Sequence, residues 1–484
     1  MPLLEDTGYV PTMKYCPGDE IQKYLQSIAK KYDLYSKSLL QTEAQEMRWD
    51  ESSKTWSIST TRGDKITAKW LVPATGPFDT PKFPGIPGIE TFKGKHFHTS
   101  RWDYEFTGGD SRGNLTKLVD KRVGIIGTGA TAVQIVPHLA AWSGELFVFQ
   151  RTPSSIDARN NRRTDAEWYK SQTPGWQRTR MDNFAGIITG DIDSGNGDLV
   201  SDGWTKTVTQ LGGWFGTGSE EGAESEEYRL QMNDYKKMES IRMRIESIVK
   251  DKETAEALKP YFNAFCKRPC FHDDYLPAFN RRNVHLVDTQ GRGVDCITET
   301  GIVANGKAYD LDVIIYSTGF EFSTDWKTRH HNANIFGNDG KNISDEWHTG
   351  PVTYHGWSVH GFPNAFFISP SQTSGLPNYG HSLEDQTSHL IYLMDKCKKD
   401  NIDRLEATAE AQEKWVDHVV EIGKARHKFL KFCTPGYYND EGKVGDFTSK
   451  HSPYGGSPTR FLQMMREWRT ADQLEGLNVH RLES

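Results

Sequence analysis

Phosphate-binding chemistry is the clearest signal in the chain, and it lies between residues 123 and 152, VGIIGTGATAVQIVPHLAAWSGELFVFQRT. Gly127, Gly129 and Ala132 stand at G-x-G-x-x-A spacing within the run Gly127, Thr128, Gly129, Ala130, Thr131, Ala132, Val133. The first glycine permits a tight turn and the second lets backbone approach a pyrophosphate, whose charge suits the N–H groups at a helix start. About twenty residues on, where an NAD site offers a carboxylate to the ribose, this chain has Arg151 followed by Thr152. A guanidinium there complements a 2′-phosphate, so charge points to NADP(H). A chance glycine turn is the bland alternative, and the flanking elements weigh against it.

Those elements are a strand at Val123 to Ile126, a helix carrying Val133, Ile135, Val136 and Leu139 at helical spacing, and a second strand from Leu146 to Phe149. The unit closes within about thirty residues, as a βαβ nucleotide fold requires. Before it, residues 1 to 15 read as an extended lead-in. The spacing of Ile21, Leu25, Ile28 and Ala29 predicts a helix over Gly18 to Tyr32. Strands are predicted over Ser38 to Glu46, Thr55 to Thr61 and Lys65 to Val72, the last running into Ala74-Thr75-Gly76. A similar junction follows a strand at Asp310 to Tyr316, where Ser317-Thr318-Gly319 makes the turn, and the parallel suggests a second nucleotide domain. Gly361 to Ile368 reads as a buried strand, with helices near 383–398 and 407–427 and a short one near Phe461.

Between these, residues 183 to 225 are rich in Gly, Asp, Ser and Trp. Gly216-Thr217-Gly218-Ser219 superficially repeats the phosphate loop, but no apolar strand precedes it and Glu220, Glu221 and Glu224 would repel phosphate. It reads as a loop. Residues 226 to 259 read as charged helix.

The 484 residues leave room for about three domains of ordinary size. With 36% hydrophobic and 25% charged residues the chain is expected to be soluble and globular, and cytoplasmic by default. No run reaches the eighteen or so apolar residues of a membrane span. A net charge of −7, mixed along the chain, gives no reason to expect nucleic acid or an anionic membrane as partner. Of the six cysteines, Cys266 and Cys270 alone are close, and without a nearby His set they read as structural thiols; no metal site is expected. His330 and His331 read as loop residues.

One further stretch carries a family resemblance. Phe92 to Asp103 fits F-x-G-x-x-x-H-x-x-x-W-D with Phe92, Gly94, His98, Trp102 and Asp103 at the fixed positions, about 25 residues before the nucleotide loop. This resembles type I Baeyer-Villiger monooxygenases, and the resemblance runs over essentially the whole chain. It implies an α/β fold with two dinucleotide-binding, Rossmann-like domains and a helical insertion, FAD and NADP as cofactors, and a small-molecule ketone and O2 as substrates. The product is an ester or lactone. It divides the chain into an FAD-domain remnant (1–91), the NADP domain (92–155 and 265–320), a helical and loop insertion (156–264) and the rest of the FAD domain (321–484). By the same resemblance Arg151, Thr152 and Lys267 bind the 2′-phosphate, Arg268 is catalytic, stabilising negative charge over the flavin, and Tyr379 lies beside the flavin. A permanently charged planar donor suits that task. On residue type alone, Lys267-Arg268 could be a solvated pair, Tyr379 ordinary loop packing, and His98 and Trp102 interdomain packing.

The family pattern also contains a first G-x-G-x-x-G and an acidic partner for the catalytic arginine, and neither is found. The first FAD-binding βαβ unit is therefore expected to be missing, whether through a truncated gene model or in a shortened relative with weak or no flavin binding. The run Trp102 to Asp110 resembles fungal members acting on bulky secondary metabolites, whether terpenoid, meroterpenoid or polyketide. Two alternatives stay open: a flavin monooxygenase that oxygenates nitrogen or sulfur, and a non-catalytic NADP-binding relative.

Overall fold

The computed structural model describes residues 1–190, 197–213, 223–322, 324–330 and 333–482. The Gly216–Ser219 loop, Glu220, Glu221, the Glu224 side chain and His331 lie outside the described residues.

Five strands form one parallel sheet in the order Lys95–His98, Val313–Tyr316, Arg122–Ile126, Glu145–Gln150, Val284–Asp288. Their apolar runs are covered on both faces, as parallel strands require. Helix Ala130–Trp142 packs Ala132, Val133, Val136 and Leu139 on one side, while Phe147, Phe149 and Tyr316 meet Ile297 and Ile302 on the other. The predicted strand from Asp310 is split: Lys307–Asp310 belongs to a small antiparallel sheet, and the chain enters the parallel sheet only at Val313. The Arg122–Ile126 strand thus lies between Glu145–Gln150 and Val313–Tyr316, so the crevice at their carboxyl ends is where connections leave in opposite directions.

A second sheet is an antiparallel meander, Ala44–Asp50, Thr55–Thr60 and Lys65–Ala68, with Asn334–Phe336 added parallel to its first strand. Its core holds Trp49, Trp56, Trp326 and Trp347 with Ile335, Phe362 and Phe367. The Trp56 indole donates to the Pro363 carbonyl at 2.9 Å, which satisfies its one buried polar group. The first strand starts at Ala44 and not at Ser38, because Tyr35–Lys37 form a tight helical turn and Gln41 adopts a φ of 53°. Residues 361–368 are mostly buried, but they build no ladder. Leu71 and Ala365 form a single bridge, and Gly361 (φ 86°) and Asn364 (φ 56°) bend the segment out of extended geometry.

The N-terminal lead-in is not extended, since Leu4–Thr7 form a short helix. Helix Gly18–Lys31 is present, yet its buried residues are Glu20, Tyr24 and Ile28, and Ile21 and Leu25 face outward. The reason is its partner: Tyr24 and Ile28 pack with Leu4, Tyr169 and Trp176. Glu5 caps the Trp176–Thr189 helix, accepting from the Gly175 and Gln177 N–H groups at 2.7 Å each. Helix Ala223–Ile248 contributes Met238, Ile241 and Ile245 to the core beneath the parallel sheet. Toward the C-terminus come helices Tyr379–Lys399, Ala409–Ile422, Lys424–Lys431 and Pro458–Ala471, and a strand pair Ile402–Ala407 with Leu477–Arg481. The helix predicted over 407–427 is divided at Gly423. Among the described residues no helix is long and apolar enough to cross a membrane.

Candidate functional site

The glycine loop sits at the carboxyl end of the central strand. Gly127 has a φ of 107°, and a Cβ there would stand 2.4 Å from the Ser317 carbonyl oxygen, so its turn and its close approach to the next strand both require glycine. The two small-residue turns therefore meet. Gly129 precedes the helix without a side-chain cap, and nothing lies within 4 Å of where its Cβ would project. The first-turn N–H groups consequently open onto free space, the arrangement an anion needs. Ala130 is half-buried and Thr131 exposed at that opening, whereas Ala132 and Val133 are turned into the core. Thr128 Oγ1 donates to the Thr152 carbonyl at 2.7 Å, and Ser154 Oγ to the Thr128 carbonyl at 2.6 Å. Loop and second strand end are thereby held in one frame.

Arg151 and Lys267 converge beside it. Arg151 donates through Nη2 to Glu441 at 2.8 Å and to the Pro435 carbonyl at 3.3 Å, and Lys267 Nζ donates to the same carbonyl at 2.9 Å. Burial, then the neighbouring Arg151 charge, lowers the Lys267 ammonium to about 8, with Glu441 opposing. Two cations held this close repel each other, which makes the spot receptive to a dianion. Arg268 is exposed, and its guanidinium has no hydrogen bond or ion pair among the described residues. Its charge reaches the Tyr437 phenol, which burial and then Tyr438 push well above its ordinary range, with Arg268 opposing. Tyr379 opens helix Tyr379–Lys399; burial raises its phenol, and it makes no hydrogen bond to Lys267 or Arg268.

The residues Phe92 to Asp103 tie these parts together. The Phe92 ring and the Asp312 carbonyl leave no room for a side chain at Gly94. Trp102 packs on Phe97 at 5.3 Å between ring centroids and donates to Thr107 at 3.0 Å. Asp103 caps the Tyr104–Thr107 helix through the Phe106 N–H at 2.9 Å and pairs with Lys95 at 2.5 Å. His98 ends the edge strand, buried between Phe83 and Phe320, its Nδ1 bonded to Ser100. Burial keeps its imidazole below the ordinary range, and the Gly319 backbone opposes the effect. It touches the Ser317–Gly319 turn and makes no direct contact with Arg151 or Lys267.

The cysteine expectation needs correction. Cys270 is a buried thiol raised to about 11 by burial, but Cys266 forms a disulfide with Cys433, 167 residues away. His330, expected in a loop, lies in a turn and is buried against Trp326, 4.1 Å between ring centroids. Sequence reasoning also missed Glu441 and the Pro435 carbonyl. The only local sign was the polar turn Asn439-Asp440-Glu441-Gly442, which says nothing about Arg151.

Residues 5–166 match the family described as pyridine nucleotide-disulphide oxidoreductase. The Baeyer-Villiger monooxygenase ATR8 of Stachybotrys chlorohalonatus is 50% identical over 482 residues, covering 99% of this chain and 77% of the relative. The polycyclic ketone monooxygenase of the thermophilic fungus Thermothelomyces thermophila superposes with a TM-score of 0.90 at 37% identity, over 99% of this chain and 80% of the other. OTEMO, solved in complex with FAD and NADP, superposes at 0.78 with 25% identity, over 99% of this chain and 88% of the other. On that identity and coverage, together with the paired nucleotide turns, the chain belongs to the Baeyer-Villiger monooxygenases, a family of flavin-dependent oxidoreductases.

Proposed function

We propose that this chain uses FAD and NADPH to insert one oxygen of O2 beside the carbonyl of a bulky ketone, giving an ester or lactone. The observation that carries the reading is the exposed Arg268, without a hydrogen bond or ion pair among the described residues, directly following Lys267, which itself sits with Arg151 at the end of the second nucleotide strand. NADPH would lie along Gly129, Ala130 and Thr131, with its 2′-phosphate on Arg151 and Lys267 and with Thr128 and Thr152 fixing the loop. Gly76 and Gly319, both at positive φ, leave open space where a Cβ would stand, so the turns at 74–76 and 317–319 fit a flat cofactor approached by backbone. These turns and Tyr379 are the residues that would hold FAD. When bound, FAD accepts hydride from NADPH and supplies the O2 chemistry. Arg268, always charged, would stabilise negative charge as it develops on the ketone oxygen; exposed as it stands, it reaches the desolvated setting in which such a donor is strongest only once substrate and cofactors cover it. His98 and Trp102 position the strand and turn between the two cofactors without touching the reacting atoms.

On this reading residues 92–155 and 265–320 form the NADP half, 156–264 an insertion on it, and 1–91 and 321–484 the FAD half. Similarity to a Baeyer-Villiger monooxygenase and to a polycyclic ketone monooxygenase favours a ketone over nitrogen or sulfur as the oxygenated centre, and a polycyclic ketone as the substrate class. The test is turnover of polycyclic and terpenoid ketones by FAD-reconstituted protein with NADPH under isotopically labelled dioxygen. Product ester carrying one labelled oxygen is expected. NADPH consumption that yields peroxide alone, or oxygenation confined to amines and sulfides, would overturn the reading.

A further inference from the structure

Helix Trp326–Arg329 ends on a charged side chain that its surroundings leave unpaired. Arg329 is 9% exposed, a depth at which arginine is rarely found without a counter-charge. Its guanidinium makes one hydrogen bond among the described residues, from Nη1 to His451 Nε2 at 3.1 Å. Nε is sealed from solvent without a partner, and Nη2 has no acceptor among the described residues either. His451 accepts as a neutral ring, since burial and then the Arg329 charge lower it to about 3. Asp325, whose charge reaches Arg329, forms no ion pair with it and instead accepts from the Thr328 N–H and hydroxyl at 3.0 and 2.8 Å. Burial lowers the guanidinium to about 10, and it remains charged at neutral pH. The helix packs Trp326 on Trp347 and Phe367, and an apolar side chain beside that cluster would avoid the desolvation, so packing alone does not call for the arginine.

Its place in the fold points to a ligand. The Arg329 carbonyl accepts from Thr80 Oγ1 at 2.7 Å, on the segment whose Lys82 N–H donates to the Gly319 carbonyl at 3.0 Å. The arginine is thereby fastened beside the 317–319 turn. The carbonyls of Lys450 and Ser452, which flank His451, accept from Gln372 at 3.0 and 2.8 Å, in the loop leading to Tyr379. The His451 ring meets Phe322 at 5.1 Å between centroids, and Phe322 meets Tyr437, whose phenol feels the Arg268 charge. Arg329 stands in the wall shared by the turns assigned to FAD and the group assigned to the ketone.

We infer that Arg329 is a further anion receptor of this cleft, gripping a carboxylate of the substrate or a phosphate of FAD through the Nε and Nη2 edge that the fold leaves unpaired. Two parallel N–H groups on one edge of a guanidinium match two oxygens of one acid group, and a permanent charge away from water strengthens both bonds. With a carboxylate in that place the substrate class narrows to polycyclic keto acids. The inference rests on the proposed cleft for cofactor and ketone, and the receptor takes no part in the chemistry at Arg268.

The test measures binding to the full chain by calorimetry. The probes are 3-oxo-5β-cholanic and 3-oxo-5α-etianic acids, each against its methyl ester, and FAD against riboflavin, which carries no phosphate. Arg329→Met should weaken the receptor's anion about ten- to hundredfold and leave the neutral counterpart unmoved. Arg329→Lys keeps the charge without the planar fork and should recover part of that loss. The Arg329→Met chain should keep or exceed the wild-type urea midpoint, since it loses an unpaired buried charge, whereas a merely structural arginine would lower it. Loss confined to the acids assigns the substrate carboxylate, and loss confined to FAD assigns the phosphate. Equal losses for charged and neutral probes, no loss at all, or a wild type that binds neither acid nor FAD would overturn the receptor. A wild type that binds an anion through Arg329 and yet oxygenates no ketone would bring down the proposed function and leave the receptor standing.

Discussion

Raising the pH from 7 to 9 should loosen NADPH about tenfold and leave NADH nearly unmoved. The perturbation acts on Lys267, whose ammonium is lowered to about 8 by burial and by the Arg151 charge. Below that value the subsite holds two cations. As pH rises through it the proton leaves Lys267, and one of the two is lost. From about a tenth neutral at pH 7 the lysine becomes about nine-tenths neutral at pH 9, and a ligand that takes only the charged form loses affinity in proportion. The 2′-phosphate, with a second pKa of about 6, is already dianionic across this window and adds no slope of its own. The assay is equilibrium titration of both dinucleotides between pH 6.5 and 9.5 at fixed ionic strength, since screening would otherwise mimic the effect. Lys267→Arg supplies a cation that does not titrate in this range and should flatten the NADPH curve. Parallel pH curves for NADPH and NADH in the wild type, or an unchanged NADPH slope in Lys267→Arg, would refute the argument.

Three other perturbations follow from the same geometry. Arg268→Ala should lower ester formation about a hundredfold or more, the scale of removing a donor to developing negative charge, while anaerobic flavin reduction by NADPH keeps its rate; persistent oxygenation in stopped-flow and product analysis would remove the assigned role. Gly127→Ala should destabilise the fold by about 2–4 kcal/mol, because its φ of 107° and the Ser317 oxygen 2.4 Å from the new Cβ both oppose a side chain, and an unaltered urea midpoint would contradict that packing. Protein denatured without reductant should expose four reactive thiols, Cys16, Cys270, Cys296 and Cys397, and all six cysteines after reduction; six before reduction would mean that Cys266 and Cys433 are unbonded.

The nucleotide unit was legible because everything that makes it is local. Strand, turn and helix follow one another, and the glycine spacing reports backbone geometry directly. The convergence of Arg151 with Lys267 came only from the family resemblance, since 116 residues of chain separate them and no periodicity relates them. Helix Gly18–Lys31 was legible along the chain, but which of its residues are buried was not, because that face is chosen by Tyr169 and Trp176 on helical segments far downstream. The pairing of Arg151 with Glu441 was invisible for a similar reason. Glu441 is brought to Arg151 by a segment tied down through a disulfide whose two cysteines are 167 residues apart, and a polar turn by itself gives no hint of what it covers.

The added strand of the tryptophan-rich sheet has a consequence for synthesis. Glu46, Met47 and Arg48 pair with Asn334, Ile335 and Phe336, on the far side of the whole parallel sheet in chain order. At about 5–20 residues per second the ribosome delivers residue 334 roughly fifteen to sixty seconds after residue 46. During that interval the parallel sheet, complete by Tyr316, can close, while the meander waits with an open edge and part of its aromatic core uncovered. A lesion at Ile335 would therefore register first in the yield of soluble chain and in its demand for chaperones, before any effect on turnover could be measured.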